Sequence, residues 1–306
     1  MKKAKAIPVP PPPGYLEEWR ETSQTHLITG ATDGIGRALA IRLADVGQKL
    51  AIVGRSEAKV QAVLKDLHAA GPNQQHIGFT ADLSLISEVD RLSKEIIGKL
   101  PDLNRVVLCA MALPGFQGLT AEGIESGLAV NYLSRVHLLN KLLPLLKTQP
   151  ETRVISFASP QTPFAQPDLG ALNDPNCQLD TWERRVAHTN CNLLYLAEFF
   201  ETLKGTSVCM NAFGPGLVLT KQVLHYSFAR RFYLGMLSSL VGKSAPYAAL
   251  PAMHILLSQD FVGKTNGFYE CDKKLTVSAQ HFSRENREKF WAETRGLLLQ
   301  SQKKDQ

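Results

Sequence analysis

Thr29-Gly30-Ala31-Thr32-Asp33-Gly34-Ile35-Gly36 follows the short apolar run His26-Leu27-Ile28-Thr29 and leads directly into a helical period from Ile35 to Val46. Strand, glycine-rich turn and helix, in that order, are what a dinucleotide pyrophosphate requires. The glycines allow a tight turn and close backbone approach, and the first turn of the helix offers unpaired N–H groups to an anion. Glycine spacing alone is a weak signal, so the specificity comes from the strand before it and the helix after it. The stretch assigns Gly30, Gly34, Ile35 and Gly36 to cofactor binding.

Outward from this turn the chain alternates. Apolar runs at Lys49 to Val53, His76 to Thr80, Arg105 to Ala110, Arg153 to Ala158, Thr206 to Ala212 and Gly267 to Cys271 read as buried strands. Helical periods lie between them, at Glu57 to His68, Ile86 to Ile97, Ala121 to Leu146 and Trp182 to Leu203, and a last one covers Ser283 to Leu299. This β-α repetition predicts an α/β fold, a doubly wound parallel sheet of the Rossmann type with right-handed crossovers.

The 306 residues and 44% hydrophobic composition suit one large domain, assigned to residues 23–306, with a substantial core. Residues 1–22 read as a proline-rich extension, because Pro8 and Pro10 to Pro13 favour polyproline II and exclude helix. Within it, Tyr15, Leu16 and Trp19 are candidates to pack on the domain or on a partner. A net charge of +6 is scattered, without a basic run interleaved with aromatics, so nucleic acid is not an expected partner. Five cysteines with no Cys-x-x-Cys point to reduced thiols and to no metal site. With no signal peptide and no apolar run of about 20 residues, a cytoplasmic protein is expected.

The Thr-Gly-x-x-x-Gly-Ile-Gly form resembles the classical short-chain dehydrogenases/reductases, over Thr25 to about Leu299. Four stretches resemble the retinol-dehydrogenase-like branch: Leu119 to Glu125 leading to Val130-Asn131; Asp168 to Asn173; Gly267 to Asp272; and Lys289-Phe290-Trp291. The resemblance implies several roles. Asp82-Leu83 would contact the adenine, although Asp82 alone also reads as a helix N-cap. Asn131 would be the structural-catalytic asparagine, and Ser159 the serine that hydrogen-bonds a substrate carbonyl. Pro215, Gly216 and Thr220 would hold the nicotinamide carboxamide. Gly54 stands where an acid would bind a ribose hydroxyl, and Arg55 follows it, which favours NADP(H) over NAD(H). The family's Asn-Asn-Ala-Gly is reduced to Leu108-Cys109-Ala110-Met111, which adds bulk where glycine lets the ligand approach.

The main departure lies in Ala187-His188-Thr189-Asn190-Cys191-Asn192, where the family carries Tyr-x-x-x-Lys. There a tyrosine moves the carbonyl proton, and a lysine one turn on lowers its pKa and holds the nicotinamide ribose. His188 and Asn192 take those places here. A phenol, with a pKa near about 10, needs a nearby cation to act at neutral pH, whereas an imidazole near about 6.5 does not. His188 is therefore a candidate acid–base group, and Asn192 a candidate neutral ligand for a ribose hydroxyl. The alternative is a helix histidine beside a dead site.

A lid at about 221–243 is rich in apolar residues, including Phe232 and Leu237. It is read as a cover for an apolar small-molecule substrate, with Arg230 and Arg231 making peripheral membrane contact the rival reading. By analogy with the family, a homodimer is expected through the two long helices. Two functions follow. One is an atypical enzyme acting on an apolar carbonyl or polyunsaturated compound, by reduction or by non-redox dehydration, isomerisation or cyclisation. The other is a catalytically silent dinucleotide-binding regulator or scaffold.

Overall fold

The computed structural model describes residues 19–20, 23–112, 118–158, 167–216, 218, 243–271, 273–275 and 283–303. The strands are β1 (Thr25–Thr29), β2 (Lys49–Gly54), β3 (Ile77–Thr80), β4 (Leu103–Leu108), β5 (Thr152–Phe157), β6 (Val208–Gly214), β7 (Gly267–Glu270) and β8 (Lys273–Leu275). They form one sheet in the order β3-β2-β1-β4-β5-β6-β7-β8. Every pairing is parallel except β7 with β8. The order reverses between β1 and β4, the switch point at which a doubly wound sheet opens its ligand crevice.

Helices α1 (Gly34–Asp45) and α2 (Glu57–Ala70) lie on one face. Helix α3 (Ile86–Lys99) lies on the other, together with α4 (Ser126–Leu128), a π-helical stretch Ala129–Leu133 and α5 (Ser134–Thr148). Next come α6 (Leu169–Asn173) and α7 (Thr181–Thr202), then α8 (Ala245–Ala248) and α9 (Leu250–Leu257), and finally α10 (Arg284–Lys303). The central strands alternate between two cores. Leu27, Ala51, Val53, Val106, Leu108 and Val154 pack with α3, α5, α7 and α10, while Ile28, Leu50, Ile52, Val107 and Ile155 pack with α1, α2 and α9. This is the period of two of a sheet covered on both sides.

Trp19 is 1% exposed and sits in the α1/α2/α9 core. Its carbonyl accepts from Gln48 Nε2 at 2.8 Å, and its ring packs edge-on to His254. The packed domain therefore takes in Trp19, which the sequence reading had placed in the extension. The expected single helix from Ala121 to Leu146 is also revised. Residues Leu119 and Glu125 close a bridged turn, and the helical segment begins at Ser126. Within that turn Glu122 caps α3 across the fold, accepting from Ile86 N at 2.6 Å, Ser87 N at 2.9 Å and Ser87 Oγ at 2.7 Å. Leu85, the residue at the helix start, has no side chain able to do this, so the carboxylate complements both the unpaired N–H groups and the dipole.

On the α3/α5 side, α10 covers Tyr132 and Tyr195. Trp291 stacks on Tyr195 with centroids 5.5 Å apart, and Tyr132 Oη shares a 2.8 Å hydrogen bond with Thr294 Oγ1. Among the described residues no helix is long and apolar enough to cross a membrane.

Candidate active site

The turn after β1 is built by backbone proximity. Gly30 has φ +72° and Gly34 φ +56°, a region L side chains rarely adopt. A Cβ on Gly30 would stand 2.6 Å from Ala110 Cα, and one on Gly36 would stand 2.4 Å from the Gly30 carbonyl oxygen. Thr29 Oγ1 accepts from the N–H groups of Cys109 and Ala110, at 3.1 and 3.2 Å, which ties the end of β1 to the end of β4. Asp33 caps α1, accepting from Gly34 N at 2.8 Å, and Ile35 follows in the first helical turn.

At the end of β2, a Cβ on Gly54 would lie 2.3 Å from Thr32 Cγ2. Arg55 is exposed beside it. After β3, Asp82 Oδ1 accepts from Ser84 N at 3.0 Å and its carbonyl from Leu85 N at 3.1 Å, so it shapes the turn that leads into α3; Leu83 beside it is buried. After β6, Gly216 has φ +71°, and a Cβ there would meet Cys271 Sγ at 2.7 Å. The Cys271 thiol donates to the Pro215 carbonyl at 3.3 Å, drawing the ends of β6 and β7 together.

The π-helical stretch carries Asn131. Its Oδ1 accepts from Ala112 N at 2.7 Å, just beyond β4, and its Nδ2 lies 3.2 Å from His188 Nδ1 on α7. α7 is started by a capping box, in which Asp180 accepts from Trp182 N and Glu183 N, and Glu183 returns a bond to Asp180 N. Four residues apart, His188 and Asn192 share one helix face. Asn192 Nδ2 donates to the carbonyl of Asn131 at 2.7 Å and to that of His188 at 2.9 Å. The Asn131 carbonyl belongs to the π-helical stretch, so Asn192 ties α7 to that stretch. Asn192 Oδ1 is buried without a hydrogen-bond partner.

His188 is 3% exposed, and its Nε2 lies 3.4 Å from Glu125 Oε2. Glu125 is held three ways. Its N–H donates to Asn173 Oδ1 at 2.8 Å, its carboxylate accepts from Leu128 N, and Arg184 Nη1 stands 4.0 Å from Oε1. Burial pushes its carboxyl up, but His188 and the N–H groups of Leu128 and Gly127 outweigh burial and hold it below the usual range. Asn173 ends α6, whose N-cap Asp168 accepts from Ala171 N. Thus Leu119 to Glu125 and Asp168 to Asn173, distant in sequence, meet beside His188.

The structure brings Asn131, His188 and Asn192 together, and gathers the turns of Gly30–Gly36, Arg55 and Asp82 at the ends of β1, β2 and β3. Ser159, Thr220 and lid residues 221–242 lie outside the described residues. Sequence reasoning gave no role to Glu125 or to Arg135. Arg135 is buried and donates to the carbonyls of Phe157 at 2.6 Å and Ala110 at 2.7 Å, fastening the ends of β5 and β4; burial lowers its pKa to about 10. Its signal was its position one turn beyond Asn131, on the same face.

A short chain dehydrogenase family model matches residues 24–170. Retinol dehydrogenase 13 of Mus musculus is 24% identical over 282 residues, covering 90% of this chain and 84% of that protein. Retinol dehydrogenase 11 of Homo sapiens is 26% identical, covering 89% and 85%. Among solved structures, L-sorbose reductase from Gluconobacter frateurii, in complex with NADPH and L-sorbose, superposes with a TM-score of 0.65 at 16% identity, covering 84% of this chain and 98% of that one.

Proposed function

We propose that the chain is a member of the short-chain dehydrogenase family, in its retinol-dehydrogenase-like branch, that it binds NADP(H), and that it reduces or oxidises an apolar substrate with His188 as its acid–base group. The observation that carries this reading is the 3.2 Å approach of Asn131 Nδ2 to His188 Nδ1, which puts the predicted asparagine on the predicted proton carrier.

The residues present fit a dinucleotide. Gly30 and Gly36 leave a turn that any Cβ would fill, and Thr32 fills the space that an acid at position 54 would need, which leaves Arg55 as the charged group at the end of β2. Its guanidinium suits a 2′-phosphate. That L-sorbose reductase is solved with NADPH supports the same choice. Asn192 Oδ1 is an acceptor awaiting a hydroxyl donor, as a ribose would offer. The dinucleotide, when bound, supplies or accepts the hydride. His188 supplies or takes the proton at the substrate oxygen, and Ser159 is assigned to polarise that oxygen. The relatives' name, retinol dehydrogenase, supports an apolar substrate.

A second reading, a silent dinucleotide-binding regulator or scaffold, is favoured by one observation: both ring nitrogens of His188 face protein groups and the ring is nearly fully buried. Titration of the purified protein with NADPH, followed by assay against a series of apolar aldehydes and ketones, separates the readings. NADPH consumption matched by alcohol formation supports the enzyme. Binding without turnover supports the regulator. Product formed without NADPH consumption supports the non-redox conversions. A homodimer built on the long helices would use surfaces other than Tyr132 and Tyr195, which α10 covers.

A further inference from the structure

From the geometry around His188 we infer that Glu125 is its positioning residue, a buried carboxylate that holds the ring in one tautomer and faces the charge the ring acquires. The assignment of tautomer follows from hydrogen bonds. Ala112 N donates to Asn131 Oδ1, which fixes the orientation of that amide. Asn131 Nδ2 is then the group facing His188 Nδ1, so Nδ1 accepts and the neutral ring carries its proton on Nε2. Nε2 lies 3.4 Å from Glu125 Oε2, a charge contact rather than a closed hydrogen bond, since Nε2 is buried without a hydrogen-bond partner.

Three further features support the pair. A carboxylate as deeply buried as Glu125 requires partners, and its own turn provides the N–H groups of Leu128 and Gly127 but no cation. The charged groups facing the ring are Glu125, from the turn before α4, and Arg184, one turn earlier on α7 and on the far side of the carboxylate. Finally, Gly127 leaves room for both partners: a Cβ there would stand 2.9 Å from His188 Cε1 and 3.2 Å from each Glu125 oxygen.

The sign of the charge fits the chemistry. A phenol is charged when it has lost its proton, so its helper is a cation. An imidazole is charged when it has gained one, so its helper is an anion. Exchange of the tyrosine for His188 removes the need for a lysine and creates a need for a carboxylate, which Glu125 meets from the opposite side of the ring. In the reducing direction an N–H bond of the imidazolium breaks, the O–H bond of the product alcohol forms, and the ring returns to neutral beside Glu125; for Nδ1 to give that proton it must leave its contact with Asn131 Nδ2. This proton step rests on the enzyme reading above; the pairing does not.

Nitrogen-15 spectra of histidine-labelled full-length protein test the pairing, with the His188 signals identified by their loss in His188→Gln. The neutral ring should show a protonated Nε2 and a bare Nδ1. Glu125→Ala, which leaves Asn131 facing Nδ1, should weaken that preference without reversing it, and Glu125→Gln, which keeps an acceptor oxygen, should retain it. Nδ1–H as the dominant form in the parent protein would overturn the inference without recourse to any Glu125 variant. So would an undiminished preference in a folded Glu125→Ala. If the parent has the expected tautomer but turns over no NADPH-dependent substrate, the enzyme reading falls and the pairing stands.

Discussion

Asn192 Nδ2 lies 2.7 Å from the carbonyl oxygen of Asn131, so Asn192 is a brace between α7 and the π-helical turn. Both amide hydrogens go to main-chain carbonyls, one of them at its own preceding turn. Only Oδ1 remains for a ligand. A neutral side chain at Asn192 cannot lower the pKa of a phenol, so the proposed chemistry depends on the imidazole.

His188→Ala is expected to reduce turnover by about 10²–10⁴, the typical contribution of a positioned acid–base group. His188→Tyr should not restore activity, because Asn192 carries no charge. The double change His188→Tyr with Asn192→Lys is expected to restore NADPH-dependent carbonyl reduction. Steady-state turnover against pH for the four proteins checks this, and full activity with an unchanged pH profile in His188→Ala would make the residue a bystander.

Cofactor preference should reside in Arg55. Arg55→Asp is expected to reverse selection from NADPH to NADH, with a change of about tenfold or more, since a charge-assisted hydrogen bond contributes about 1.5–3 kcal/mol. Calorimetric titration with both nucleotides measures it, and equal affinity for both in the parent would refute it.

Trp19 should behave as a core residue despite its place beside the proline-rich segment. Trp19→Ala is expected to destabilise the protein by about 3–5 kcal/mol, the range for deleting a large buried aromatic. A urea unfolding midpoint unchanged by the substitution would show that the segment is dispensable to the fold.

Acid should weaken the junction of β4, β5 and α9. Glu151 pairs with Arg105 Nη2 at 2.8 Å and Arg153 Nε at 2.7 Å, both arginines being almost fully buried. Burial pushes the carboxyl up, but the two guanidinium groups outweigh it and hold the pKa below the ordinary 4.5. A carboxyl depressed in the folded state stabilises the fold above its unfolded pKa and loses that contribution as pH falls through the folded value. Stability should therefore decline below about pH 4.5. Glu151→Gln should lower stability at neutral pH by about 2 kcal/mol, less than for a fully buried pair because the carboxylate is partly screened by solvent. The same change should flatten the acid slope, measured by urea denaturation across pH.

The sheet was legible because its strands are short apolar runs whose alternate residues fill two cores, and that period is a property of the chain alone. The edge strand β8 was not. Lys273-Lys274-Leu275 has no apolar run, and it pairs antiparallel to β7 through a tight connection in which Cys271 has φ +54°. The long helix was legible as an apolar period, but its π turn and the bridged turn before it were not, since periodicity reports which side is buried and is silent about main-chain hydrogen bonds.

The sequence by itself determined the doubly wound sheet, the glycine turn with Arg55 beyond it, and the spacing of His188 and Asn192 one helical turn apart. Tertiary structure alone decided what surrounds that pair. Asn131 and His188, 57 residues apart in sequence, meet through their side chains, and Glu125 completes the group from a turn that sequence reading had assigned to a helix. The physical reason is that backbone pattern is encoded locally, by side-chain period and turn chemistry. The state of a titratable group is set by whatever charge and hydrogen bonds the fold brings to it from elsewhere in the chain.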